Sequence, residues 1–153
     1  MPTVTAPELV TMSQEQLDDL FRSSETGPIP DGDADGTAIV APGSDLATPG
    51  ARFAHRLAWR GKVFDAKRGT LLNKVTPLNL HWIRATVYRD TSRFDGKEAI
   101  ILDYSKTSIV AHRVRDEIRE VSPGLYLGQV FWDKTRVCNF ALDFNKKSSP
   151  WGA

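Results

Sequence analysis

The chain is poor in the residues that staple or ligate. A single cysteine, Cys138, stands among 153 residues, which excludes an intramolecular disulfide and a cysteine-based zinc site. Such a chain suits a reducing compartment, and cytoplasmic location is the expectation. The three histidines, His55, His81 and His112, lack the spacing that sets two imidazoles one helical turn apart, so no metal is expected. An excess of one charge is also missing, since 20 Lys plus Arg face 19 Asp plus Glu and leave +1. That balance gives no field towards nucleic acid or an anionic membrane, and nucleic acid is not an expected partner. No run approaches the roughly 18 apolar residues of a membrane span, and residues 1–12 lack a basic start followed by a long apolar stretch. Neither a membrane span nor an export signal is expected. Phosphate-loop, dinucleotide and serine-nucleophile signatures are absent as well, which removes the commonest cofactor-dependent and hydrolytic alternatives.

What the chain does have is a succession of β-prone runs. LHWIRATVYRD, KEAIILDYS, VRDEIREVS, LYLGQVFW and RVCNFALDF follow one another from Leu80 to Phe144 with short connections. Connections too short for a crossover helix force antiparallel pairing, and a long antiparallel sheet loses its exposed edges best by closing into a barrel. Before these runs, Trp59 to Phe64 and Thr70 to Val75 flank a Lys67–Gly69 turn and predict a hairpin, and Thr37 to Ala41 predicts a first strand. The fold class expected is therefore mainly β, an antiparallel barrel of about eight strands, large enough to hold one small ligand. One or two short helices should precede it. Ser13 and Gln16 have capping-box spacing, with Leu17, Leu20 and Phe21 on one face, which predicts a helix over Ser13–Ser24. Thr48 and Pro49 predict another over Pro49–Ala58. At this length one core should bury roughly 70% of the unfolded surface. The expected organisation is a flexible tail over 1–12, one barrel domain over 13–145 and a C-terminal tail over 146–153.

Several side chains could carry chemistry. Asp31, Asp33, Asp35 and Gly36 imitate the first half of a calcium loop, but Pro42 stands where a bidentate Glu belongs, so a solvated turn over Pro30–Gly36 is expected. The run Arg113–Val121 places Val114, Asp116, Ile118 and Glu120 on one face, and Arg113, Arg115, Glu117 and Arg119 on the other. If Val114 and Ile118 point inward, Asp116 does too, and a carboxylate there must find a donor or have its pKa raised. Asp116 is the leading candidate, with a structural pair to Arg84, Lys62 or a tyrosine as the competing explanation. His112 stands near Tyr104 and Asp116 in sequence and could serve as acid or base, or simply cap backbone at a rim. Asp103 and Tyr104 are neighbours, so only one of them can look into a cavity. Trp82, Tyr88, Tyr126 and Trp132 offer aromatic surface suited to a core or to an apolar ligand.

The order Trp59, Gly61, Lys62 and Phe64, then Asp95 and Gly96, Asp103 and Tyr104, Asp116 to Arg119, and Gly124 to Gly128 resembles small bacterial lipocalin-like proteins related to GXWXG-type domains of unknown function. The resemblance spans roughly 59–144. It implies a small antiparallel barrel with an internal cavity for a fatty-acid- or polyketide-like molecule, and it supplies no mechanism and no catalytic residues to carry over.

Two functions are compatible with these residues. The first is binding of a hydrophobic small molecule in the barrel, with Lys62, Trp82, Arg84, Tyr88, Asp103, Tyr126 and Trp132 as candidate ligand-binding residues. The second is a cofactor-independent cyclase, isomerase or decarboxylase in which Asp116, Tyr104 and His112 move a proton in the same cavity. Neither needs a cofactor. Haem held by His55, His81 or His112 is a weaker third option. A homodimer is the one protein partner left open.

Overall fold

The computed structural model describes residues 3–39, 61–74, 83–106 and 112–145. Two helices, α1 (Ala6–Thr11) and α2 (Gln14–Ser23), precede eight strands: β1 (Gly32–Ile39), β2 (Gly61–Asp65), β3 (Thr70–Lys74), β4 (Ile83–Thr91), β5 (Glu98–Asp103), β6 (Val114–Ser122), β7 (Leu125–Trp132) and β8 (Thr135–Asp143). Every neighbouring pair is antiparallel, and β1 pairs with β8 to close the barrel. The protein is thus mainly β, with a closed eight-stranded antiparallel barrel and two N-terminal helices. The hairpin at Lys67–Gly69 and the five later strands follow the sequence pattern closely.

Three segments differ from their sequence reading or fall outside its reach. Gly32–Gly36, read as a turn, is the first half of β1. The run works as a strand because its period is two: Asp33 and Asp35 are exposed while Ala34 is buried. Small residues at alternate positions also allow close approach of the backbone. Gly61 has φ +129°, and a Cβ there would meet the Ala34 carbonyl. Residues 6–11, read as tail, form α1 because Thr5 and Glu8 make a reciprocal capping box and Leu9 is fully buried. The helix expected over Pro49–Ala58 lies outside the described residues. By contrast α2 starts where the pattern placed it, with Ser13 and Gln16 capping each other.

The sheet carries a core on each face. Inside the barrel lie Phe64, Leu71, Ile100, Leu102, Ile118, Tyr126, Phe140 and Leu142, among others. Outside, Leu9, Leu17 and Phe21 of the helices cover Ile101, Leu125, Leu127 and Ala141. One end of the barrel is plugged by aromatic rings. Phe144 packs edge-on against Phe64 and Tyr126, at 5.6 and 5.5 Å between centroids. The Tyr126 hydroxyl donates to the Pro28 carbonyl at 2.6 Å, tying the segment after α2 across this end.

Candidate functional site

The opposite end is built differently. Residues 39, 61, 74, 83 and 114 end or begin strands there, and on β2, β3 and β6 the inward positions one or two residues deeper are polar. Lys62 on β2 and Asn73 on β3 are direct register partners. Tyr104 follows β5, and Asp116 lies on β6 opposite Leu102. All four are buried, with Lys62 at 4% and Asp116 at 3% exposure.

Their polar atoms converge. The Lys62 ammonium donates to Asn73 Oδ1 and, at 2.6 Å, to the Tyr104 hydroxyl. Its nitrogen is 3.2 Å from Asp116 Oδ2. Asn73 Nδ2 also donates to the Tyr104 hydroxyl at 2.8 Å, and that hydroxyl donates to Asp116 Oδ2 at 3.0 Å. Three acceptors therefore face the three ammonium hydrogens of Lys62. Asp116 is less well served, because its Oδ1 is buried with no hydrogen-bond partner among the described residues. An ionised carboxylate with one bare oxygen is poorly stabilised.

Burial acts on all three titratable groups. It pulls the Lys62 amine down from the ordinary lysine range, against the opposing pull of Asp116. It pushes the Asp116 carboxyl up, with Lys62 and Tyr104 opposing. Burial and the Asp116 charge together raise the Tyr104 phenol well above its usual range. Beside them, burial raises the Cys138 thiol to about 11, and the Asp116 charge adds to that. Cys138 is only half-buried, and the inward Val114 and Val130 are only partly buried, so the side chains left part-exposed beside the pair are apolar.

The remaining candidates disperse. Arg84 is exposed and lies on the outer face of β4, since Ala85 and Val87 take the inward positions. Tyr88 shares that outer face, where its hydroxyl donates to Asp103 Oδ2 at 2.8 Å. Burial and the Asp103 contact push the Tyr88 phenol up to about 12. Burial would raise Asp103, but hydrogen bonds from Ser105 and Tyr88 hold it below its ordinary value. An inward Arg84, Tyr88 or Asp103 is therefore corrected to an outward one, for the plain reason of strand alternation. Tyr126 is inward but belongs to the plugged end. Trp132 stands at the rim opposite Val114 and is 46% exposed. His112 is exposed in the turn before β6, and the Lys62–Tyr104–Asp116 contacts form without it. Trp82, His55 and His81 lie outside the described residues.

Asn73 and Cys138 were missed by sequence reasoning. Asn73 had a signal, because in Thr70–Lys74 it falls on the inward side with Leu71, a polar residue at a core position. Cys138 had one too, because it alternates in register with the inward Phe140 and Leu142 of β8; the bulge at Val137, where Val130 pairs with Cys138 and Phe131 with Arg136, lies beyond it. Among the described residues no group of three or more His, Cys, Asp or Glu could hold a metal ion, and no helix is long and apolar enough to cross a membrane.

No protein-family model matches the chain, and no curated protein does. A solved structure described as a crystal structure of a protein from Thermomonospora curvata is similar over 88% of each chain, with a TM-score of 0.57 and 17% identity. At that identity the likeness is one of fold.

Proposed function

We propose that the barrel binds an apolar small molecule, fatty-acid- or polyketide-like, whose polar group meets Lys62, Asn73, Tyr104 and Asp116. The observation that carries this reading is a Lys–Asp pair buried inside the barrel, with one carboxylate oxygen unsatisfied among the described residues. Desolvating two charges costs as much as their attraction returns, and apolar residues of similar volume would serve stability as well or better. Charged groups kept in such a place therefore suit recognition better than stability. The half-buried Val114, Val130 and Cys138 supply apolar surface next to them, as small-molecule sites generally do.

A second reading is favoured by one contact. The Tyr104 hydroxyl touches both Lys62 and Asp116, a chain along which a proton can move to or from a bound molecule without a cofactor. Native mass spectrometry of protein purified from its own source tests both. A small molecule of unaltered mass that travels with the protein, and is lost on Lys62→Met, supports binding. Conversion of an added precursor supports the second reading. Protein that carries nothing, and takes up nothing from a panel of decanoate, decan-1-ol and decan-2-one, overturns both.

A further inference from the structure

Lys62 is the only lysine buried among the described residues. Other lysines, such as Lys67, Lys97 and Lys134, are exposed to solvent. Lys62 differs in having its proton acceptor built in. Asp116 Oδ2 lies 3.2 Å from its nitrogen, and the other oxygen of that carboxylate has no donor among the described residues. Moving one proton from Lys62 to Asp116 turns a poorly served ion pair into two neutral groups, a transfer that low-dielectric surroundings favour. The Tyr104 hydroxyl, 2.6 Å from the same nitrogen, is placed to pass a proton to an oxygen bonded next to it. A desolvated lysine beside an acid–base partner is the arrangement that makes an amine nucleophilic towards carbonyl carbon.

We propose that Lys62 condenses with the carbonyl carbon of an apolar aldehyde or ketone bound in the barrel, forming an imine. The inference rests on the binding reading above and adds a covalent step to it. A proton first passes from Lys62 Nζ to Asp116. The freed electron pair bonds to the carbonyl carbon, and the carbon–oxygen π pair moves onto oxygen. A second nitrogen proton reaches that oxygen through the Tyr104 hydroxyl, giving a neutral carbinolamine. Asp116 then returns its proton to the carbinolamine hydroxyl, which leaves as water while the nitrogen pair closes the C=N bond. Ammonium, carboxylate and carbonyl become iminium, carboxylate and one water, with no oxidant or reductant consumed. Asp116 ends as counter-ion to the iminium, as it was to the ammonium. The bond forms beside the apolar surface of Val114, Val130 and Cys138, which favours substrates with an alkyl or polyketide body over small hydrophilic aldehydes.

The test uses the whole chain with equimolar decanal at neutral pH, brief borohydride reduction and peptide mapping, with decan-1-ol as the non-carbonyl match. The expected result is a decyl group on Lys62 at no less than ten times the occupancy of Lys67, Lys97 or Lys134. Tyr104→Phe should slow labelling of Lys62 about tenfold when the two proteins are compared at equal decanal retention in native spectra. Retention of decanal and decan-1-ol in native spectra with no preference for Lys62 overturns the imine and leaves the binding reading standing. Failure to retain either molecule, with Lys62 unlabelled, overturns both. The wild-type map decides the matter even if Tyr104→Phe does not fold.

Discussion

At the scale of single residues, the interior pair sets the sharpest expectation. Removing either partner strands the other charge in the barrel, so Lys62→Met and Asp116→Asn should each cost about 3–5 kcal/mol in urea unfolding. The double variant Lys62→Met/Asp116→Leu should cost far less than the sum, because it leaves no orphan charge. Equal and additive costs would show that the two groups do not interact. Strand alternation made Asp116 legible before any coordinates, since Val114 and Ile118 fix its face. It could not say which of Arg84, Lys62 or Tyr104 would reach it, because a partner across a barrel depends on register between distant strands. Gly128 offers a second residue-scale expectation. A Cβ there would clash with the outer end of the Phe140 ring, so Gly128→Ala should cost about 1–3 kcal/mol through overpacking, read as a lower urea midpoint.

At the scale of elements, one arginine joins three of them. Arg119 on β6 is 1% exposed and grips Asp95 through two bonds of 2.6 and 2.7 Å. It also donates to the Glu98 carbonyl at the start of β5 and to the Phe21 carbonyl in the last turn of α2. A cation at a helix C-terminus is favourable for the dipole as well as the hydrogen bond. Hydrogen bonds from Arg119 hold the Asp95 carboxyl below its ordinary value of 3.8, although burial works the other way. The folded protein therefore binds that proton less tightly than the unfolded chain does. Its contribution is complete above the ordinary aspartate range and is lost as pH falls through the lowered value. Arg119→Met should cost about 3 kcal/mol near neutral pH and flatten the acid limb of stability. Urea midpoints at about pH 7 and about pH 3 measure both. The ionic face of β6 was visible in the sequence, yet its cover was not. Glu117, for example, accepts from the Ser92 hydroxyl and the Arg93 amide, and nothing in a strand's own pattern shows that a turn 24 residues away will fold over it. The same limit explains β1, where aspartate and glycine read as turn chemistry until β2 and β8 supply pairing partners.

At the scale of the whole molecule, one sheet separates two cores, and the separation has measurable consequences. Leu17 belongs to the outer cluster beneath the helices, and Ile118 to the inner one, both with 0% exposure. Leu17→Ala should cost about 2–5 kcal/mol and Ile118→Val about 0.5–1.5 kcal/mol. Because the barrel is closed by β1 against β8, neither face can open without breaking the ladder that both share, so each variant should shift a single cooperative transition. The two costs should add within about 0.5 kcal/mol, since the side chains share no packing partners across the sheet. Ligand retention should part them. Ile118 lies two residues beyond Asp116 on the inward face, so Ile118→Val should change the retention of a decyl chain, whereas Leu17→Ala should leave it as in the wild type once samples are compared below their unfolding midpoints. Retention lost equally in both variants would place the bound molecule against the outer core and not beside Lys62.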